Sequence, residues 1–436
     1  MIGEILEFAR LLRRNRWPQE RLAEFRRAKL KRLIHHAYEK VPYYRARMRE
    51  GGVTPGDIAG PADLAKLPVT TKADLRRAGE DALARDCGEL ISVYTSGHSG
   101  TPFEIRLRPG EARTRRLREF RMLIAAGVGP RDRLTLLGPV DTAPRRLHRM
   151  LGLYRMEVIS GMEEVDEQVR RLKESRPDVL WAYPSVLKGV LHLARCELRD
   201  LARPRLMITS SQVMEPVFRE QLLQANPGME IVDIYGSAEA ARIAAACTAR
   251  RGLHVEEDAL IVELLEGEER AATGTHGTVV ITCLDQLAMP LIRYEQGDLC
   301  RLVEGGCTCG RSTALLEPPI GRNFDMITLP SGRRISPIRL DIALRPQSKL
   351  LQYRFVQVSL QHIEGQLCFK EDPPAEKVLA IQRTLEELLE EGQTLSIQVI
   401  PEMRFEGTKF KAFVSQLGES KQTLHPAGME DRFGTV

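Results

Sequence analysis

The chain has 436 residues, of which 43% are hydrophobic and 28% charged, with a net charge of +5. That length exceeds one usual hydrophobic core, so two domains, or one large and one small, are expected in a soluble globular protein. No apolar run approaches the ~18 residues that a membrane span needs. Glu4 and Glu7 interrupt the apolar start and argue against a signal peptide. Eight cysteines in so long a chain make no disulfide framework, so a reducing cytoplasm is the expected location. At 5% aromatic content, without basic–aromatic interleaving, no nucleic-acid partner is expected.

Residues 1–50 read as helices. Apolar Ile5, Phe8, Leu11 and Leu12 recur at helical spacing, so the first helix docks one face. Pro18 starts the second helix and Val41-Pro42 ends it. The early arginines and lysines read as solvated helix faces. A turn-rich stretch, Gly51–Pro68, then leads through Leu67-Pro-Val-Thr-Thr-Lys72 into a short helix.

Tyr94 to Pro102 reads Y-T-S-G-H-S-G-T-P. Thr95, Ser96, Ser99 and Thr101 supply hydroxyls, while Gly97 and Gly100 let the backbone fold around an anion. Phosphate is the natural guest, although such a run also suits an ordinary turn. Walker-type spacing is absent, since Thr101-Pro102 stands where Gly-Lys-Ser/Thr would be.

Beyond the loop, strand-length apolar runs at Arg133–Val140, Met156–Ser160, Asp178–Ala182, Arg205–Ser210 and Glu230–Tyr235 alternate with amphipathic stretches. These stretches include Met162–Ser175, Ser185–Leu198 and Glu215–Ala225, and the order predicts an α/β body with a mainly parallel sheet. From about residue 253 helices give way to strands at Leu260–Leu264, Gly277–Leu284 and Leu299–Val303. The expected fold is therefore α/β: a large N-terminal domain over residues 1–321, with a helical start (1–60) and a barrel-like β piece (about 253–320). A small, mobile α+β domain follows over 322–418, with strands near Phe355–Leu360, Gln366–Lys370 and Ser396–Ile400 and a helix over Ala375–Glu391. The polar tail, 419–436, is expected to be disordered.

Polar groups gather at the predicted strand ends. Asp233-Ile-Tyr235-Gly236-Ser237-Ala-Glu239 closes a strand, at the edge where open α/β sheets bind ligands. Arg293-Tyr294-Glu-Gln-Gly297-Asp298 reads as a charged turn, Gly321-Arg322-Asn-Phe-Asp325 sits at the domain junction, and Gly407-Thr408-Lys409 lies in the last domain. Taken singly, Glu239 also suits a helix N-terminus, Asp298 a turn, and Lys409 a solvated surface. Cys247 with His254, and Cys307 with Cys309, make a closed tetrahedral zinc site if their loops meet; free reduced cysteines are the alternative. Cys87, Cys196, Cys283, Cys300 and Cys368 read as buried small hydrophobes.

The order and spacing of these motifs resemble the adenylate-forming superfamily of acyl-CoA synthetases, adenylation domains and luciferases. Within it the chain is most similar to the phenylacetate–CoA ligase branch, especially its capsular-polysaccharide and deazaflavin-cofactor adenylylating members. The resemblance covers about residues 30–418 and includes Val41-Pro-Tyr-Tyr44, Leu67-Pro-Val-Thr-Thr-Lys72 and Met289-Pro-Leu-Ile-Arg-Tyr294. It implies that a carboxylate attacks the α-phosphate of ATP, giving acyl-AMP and pyrophosphate, with positioning and charge stabilisation dominating. The acyl group then passes to a thiol such as coenzyme A, or to an amine. The alternative acceptor is a hydroxyl that receives AMP itself, and a non-catalytic nucleotide- or partner-binding member is a third reading.

The resemblance also distributes roles. The Thr95–Thr101 loop would hold the β- and γ-phosphates, and Glu239 would bind Mg²⁺. Tyr235 would stack on adenine near Asp233 or Gly236, with Ser237 in the same motif. Asp298 and Arg322 would hold the ribose, and Lys409 would bridge the acid and the α-phosphate. Zinc on Cys247, His254, Cys307 and Cys309 would be structural, as in relatives with matching positions. Trp181, Tyr183, Pro184, Ser185, Ser210, Ser211, Gln212 and the loop around Gly138 would line the acid pocket. A homodimer is one option for assembly.

Four departures stand out: His98 replaces Ser or Thr, Thr101 replaces Lys, Ala238 replaces Thr, and Phe324-Asp325 replaces an aspartate pair. The loop thus lacks a fixed cation and gains an imidazole able to donate to a phosphate. Phe324 takes the hinge place, where a large dihedral change must be tolerated.

Overall fold

The computed structural model describes residues 2–95, 103–138, 155–272, 274–321, 327–335, 340, 343–344, 350–369, 371–401 and 413–417. The chain divides into two compact units. The first takes in the described residues up to Gly321, the second those from Ile327 onward.

Three helices open the first unit: α1 (Ile2–Arg14), α2 (Gln19–Lys40) and α3 (Pro42–Glu50). Pro18 is the N-cap of α2 and Pro42 begins α3, where a missing N–H costs nothing. Leu30, Leu33, Ile34 and Ala37 of α2 are buried with Tyr44 and Met48 of α3. On α1, Leu11 is buried but Ile5 is 63% exposed, so the docked face is narrower than the periodicity predicts. Two bonds tie α1 to the helix Pro109–Ala125: the Thr114 hydroxyl donates to Glu7, and Arg121 donates to the Leu11 carbonyl.

The short α4 (Lys72–Ala78) is capped by the Thr71 hydroxyl, which accepts from the Asp74 N–H at 3.1 Å. A hairpin, β1 (Ile91–Tyr94) with β2 (Glu104–Leu107), leads into α5 (Pro109–Ala125). The body then alternates through β3 (Arg133–Gly138), β4 (Arg155–Ser160), α6 (Val165–Ser175), β5 (Val179–Ala182), α7 (Pro184–Leu193) and α8 (Leu198–Leu201). It continues through β6 (Leu206–Ser210), α9 (Pro216–Ala225) and β7 (Glu230–Ser237). Among the described residues of this unit strands alone follow: β8 (Ala241–Ala246), β9 (Leu253–Val255), β10 (Leu260–Glu266), β11 (Glu269–Arg270), β12 (Gly277–Cys283), β13 (Tyr294–Cys300), β14 (Leu302–Val303) and β15 (Leu315–Leu316).

The central sheet runs β14-β15-β9-β8-β7-β6-β5-β3-β4. Its β4-β3-β5-β6-β7 half is parallel, as the alternating pattern predicts, and an antiparallel extension continues from β8. Both faces are buried. Trp181, Ile208 and Val232 pack with Met122 and Leu123 of α5, while Leu180, Met207 and Ile231 pack with Leu172, Leu187, Phe218 and Leu222 of the crossover helices. The piece expected to be barrel-like is an open antiparallel sheet, ordered β11-β10-β12-β13.

Three local expectations change. Residues 294–298 belong to β13 rather than to a turn, because pairing with β12 supplies backbone partners that their polar composition hides. His254 likewise lies in β9, paired with Leu315. Cys87 and Cys196 are half-buried, whereas Cys283, Cys300 and Cys368 are buried as expected.

A buried ion cluster holds the first unit together. Arg121 on α5 makes a two-pronged contact with Asp258, at 2.9 and 2.7 Å, and also donates to Glu256. Arg121 is 1% exposed, so these acids offset the cost of burying its charge. No described helix is long and apolar enough to cross a membrane.

In the second unit, β16 (Ile327–Thr328) pairs with β17 (Arg334–Ile335). A sheet ordered β20-β19-β18-β21 is built from β18 (Leu350–Ser359), β19 (His362–Phe369), β20 (Thr394–Val399) and β21 (Phe413–Ser415). α10 (Ala375–Glu386) packs Ile381 and Leu385 into its core beside Phe355 and Leu367.

Candidate active site

Strands β3, β5, β6 and β7 end on one edge, and a strand of the second sheet reaches it. The Tyr235 hydroxyl donates to Asp298 Oδ2 at 2.8 Å. Asp298 stands in β13, whose ladder with β12 slips between the pairs Thr278–Leu299 and Val280–Glu295. Gly297 takes φ +77° in that slip, a conformation that suits glycine. Such a bulge re-aims the side chains beside it.

Glu239 lies in the tight connection between β7 and β8 and is 9% exposed. A Cβ on Gly236 would come within 2.2 Å of the Ala241 carbonyl oxygen, so this close return needs glycine. The Tyr294 hydroxyl donates to Glu239 Oε1 at 3.2 Å, and Lys72 Nζ stands 3.7 Å from the same oxygen. Lys72 also donates to the Thr95 hydroxyl at 3.2 Å. Thr95 in turn exchanges bonds with Phe103 at the root of the glycine-rich loop, N–H to carbonyl at 3.0 Å and Phe103 N–H to hydroxyl at 2.9 Å. Ser96, Gly97, His98, Ser99, Gly100, Thr101, Arg322, Phe324, Asp325 and Lys409 lie outside the described residues.

Behind this turn stands Arg115 of α5. It donates to the carbonyls of Ala238 and Glu239 and to Gln286 Oε1. Burial lowers its pKa to about 10, which still leaves it charged at neutral pH. Asp233 accepts from the Thr209 hydroxyl and the Arg219 guanidinium, so its carboxylate is engaged within the fold. The Ser237 hydroxyl accepts from the Ala240 N–H at 3.2 Å.

The expected acid-pocket residues stand along the same edge. Trp181 Nε1 donates to the Ser210 hydroxyl at 2.8 Å, and the Ser185 N–H donates to Gln212 Oε1 at 2.9 Å. The Tyr183 ring lies 3.1 Å from the place a Cβ on Gly138 would occupy, so that glycine makes room for the ring. Pro184 begins α7, and Ser211 holds a left-handed φ of +67°.

The four zinc candidates come together. Cys247 follows β8, His254 is in β9, and Cys307 and Cys309 lie between β14 and β15. One ligand atom from each lies within 4.8 Å of all the others. Cys247 Sγ is 3.6 Å from Cys307 Sγ, and Cys309 Sγ is 3.2 Å from His254 Nε2. A tetrahedral zinc with ~2.3 Å Zn–S bonds needs ligand edges of about 3.8 Å, so the donor set fits. Burial, followed by the Arg311 charge, lowers the His254 pKa to about 4 and keeps a neutral imidazole. Its Nδ1 meets the Thr313 hydroxyl at 2.9 Å, the kind of partner that orients a ligating ring.

Sequence reading assigned no role to Lys72, Tyr294 or Arg115. Lys72 and Tyr294 end the Leu67–Lys72 and Met289–Tyr294 motifs, the one signal that the sequence offers for them. Arg115 sits in a basic helix with nothing local to single it out.

No protein-family model matches the chain. Over 345 residues it is 30% identical to phenylacetate–coenzyme A ligase of Thermus thermophilus, covering 75% of this chain and 76% of that one. It is 27% identical to phenylacetate–coenzyme A ligase of Escherichia coli over 327 residues, 72% of this chain and 74% of that relative. Among solved structures, 2-hydroxyisobutyryl-CoA ligase in the postadenylation state superposes with a TM-score of 0.78 at 21% identity. That match covers 92% of this chain and 91% of that one. The anthranilate CoA ligase AuaEII superposes with a TM-score of 0.57 at 15% identity, covering 73% and 64%. With an identity of 30% across three quarters of both chains, and motifs in the expected order, the chain belongs to the phenylacetate–coenzyme A ligase family.

Proposed function

We propose that the protein is an ATP-dependent adenylate-forming ligase that activates a carboxylic acid as acyl-AMP and passes the acyl group to coenzyme A. The observation that carries this reading is the meeting of Lys72, Thr95, Tyr235, Glu239, Tyr294 and Asp298 at one sheet edge. Tyr235 and Asp298 serve adenine and ribose. Glu239, Lys72 and the Thr95 loop serve the phosphates, with Lys72 supplying the cation that the loop lacks at Thr101. In the first step the acid's carboxylate oxygen bonds to the α-phosphorus while the bond to the β-phosphate bridging oxygen breaks, releasing pyrophosphate. Positive charge and donors placed before reaction stabilise the charge that builds on phosphate oxygens. Glu239 would hold Mg²⁺, which neutralises charge on the departing pyrophosphate when bound. In the second step the thiol of coenzyme A displaces AMP.

Cys247, His254, Cys307 and Cys309 would hold a structural zinc. Bound there, it would tie the end of β8 and strand β9 to the β14–β15 loop, leaving the chemistry to the other site. An ATP–pyrophosphate exchange screen over aromatic, fatty and amino acids tests the first step, and coenzyme A-dependent release of AMP tests the second. Exchange with no acid would overturn the reading.

A further inference from the structure

We propose that Arg242 is a specificity-determining residue, and that the acid activated here carries a second, anionic group distal to the carboxylate that reacts. This rests on the adenylation reading above and names its substrate class. Arg242 lies three residues beyond Glu239 and pairs with Gly236 across the β7–β8 ladder. It therefore borders the turn next to which the reacting carboxylate must lie.

The β7–β8 ladder slips between Tyr235 and Gly236, so contacts rather than strand alternation show where Arg242 lies: Glu119 of α5 and the Trp181 ring of β5 flank it. Its guanidinium carbon stands 5.0 Å from the centre of the Trp181 ring. Trp181 is bonded to Ser210 and lies two residues before Tyr183, so Arg242 joins the wall assigned to the acid.

Its own bonding leaves donors to spare. Among the described residues Glu119 is its ion-pair partner, at 3.4 Å, beyond the usual range of an N–H···O hydrogen bond. The Arg242 side chain is 19% exposed and that of Glu119 37%, so the arginine is the more desolvated partner. A guanidinium offers five N–H donors in a plane matched to a carboxylate, and one face here lies on an aromatic ring. A second donor stands on the same edge: Gln212 Nε2 is buried without a hydrogen-bond partner among the described residues. A neutral hydrocarbon tail would leave such donors unmatched, whereas an anionic tail satisfies them.

Exchange measured with matched acids tests this: phenylacetate against 4-carboxyphenylacetate and hexanoate against adipate, beside the wider panel. The wild-type protein should show a kcat/KM about ten- to a hundredfold higher for the dianionic member of an accepted pair. Arg242→Met should abolish or reverse that ratio with KM for ATP unchanged, and Arg242→Lys should retain part of it. Preference of the wild type for the neutral member, or an unchanged ratio in Arg242→Met, overturns the proposal while the adenylation reading stands. Exchange with no acid of any class overturns both.

Discussion

Tyr235 donates its hydroxyl to the Asp298 carboxylate across 2.8 Å, joining residues on two different sheets. The bond orients a ring at the end of β7 and a charged acceptor in the bulge of β13. Asp298→Asn keeps the shape but removes the charge, and should weaken ATP binding about ten- to a hundredfold, in line with ~1.5–3 kcal/mol for bonds to charged groups. Tyr235→Phe should cost less. Equilibrium titration with ATP checks both, and a melting curve shows that the fold is intact.

Lys72 stands between Thr95 and Glu239. If it supplies the cation at the loop, Lys72→Met should slow pyrophosphate exchange by about a hundredfold or more, the scale seen when one charge-stabilising group is lost. Its KM for ATP should rise while KM for the acid stays near wild type. Equal loss in both constants would point instead to a disturbed fold around α4.

The thiol and imidazole cluster predicts one zinc per chain in purified protein, measured by elemental analysis. Cys309→Ala should lower the zinc content and the melting temperature together, since metal affinity here is folding free energy. Exchange kinetics of the remaining folded protein should be nearly unchanged, because the metal would have no part in the reaction.

Acid should expose the Arg121–Asp258 pair. Burial alone would raise the Asp258 pKa, but the Arg121 charge and hydrogen bonds more than offset it and hold it below the usual carboxylate range. A depressed folded pKa means stability fully present above the unfolded pKa, near 3.9, and lost as pH falls below it. Asp258→Asn leaves Arg121 paired with Glu256 and should destabilise the first unit by up to about 3 kcal/mol at neutral pH, less than the ~3–5 kcal/mol of a buried charge left with no partner. It should also flatten the fall of stability below about pH 4 in urea titrations.

Much of the first unit was legible from its pattern. Short apolar runs separated by amphipathic stretches marked β3 to β7 and their crossovers, because strand and helix periods are written in neighbouring residues. The reading failed where partners outweighed composition. Tyr294–Asp298 looks like a polar turn until β12 pairs with it, and His254 looks like a loop residue until β15 does. Ile5 fits a helical stripe yet remains exposed, since only part of that stripe meets the body.

From residue order alone came the α/β class, the chemistry-bearing motifs and the family, because these depend on local spacing and on a shared succession of motifs. Contacts between distant parts of the chain came from the fold. Lys72 reaches Glu239, Arg115 backs the turn, the two cysteine-bearing loops close on His254, and Arg242 lies on Trp181. Each of these depends on strand register and on how two sheets and α5 pack, energies set by the whole core rather than by any short window of sequence.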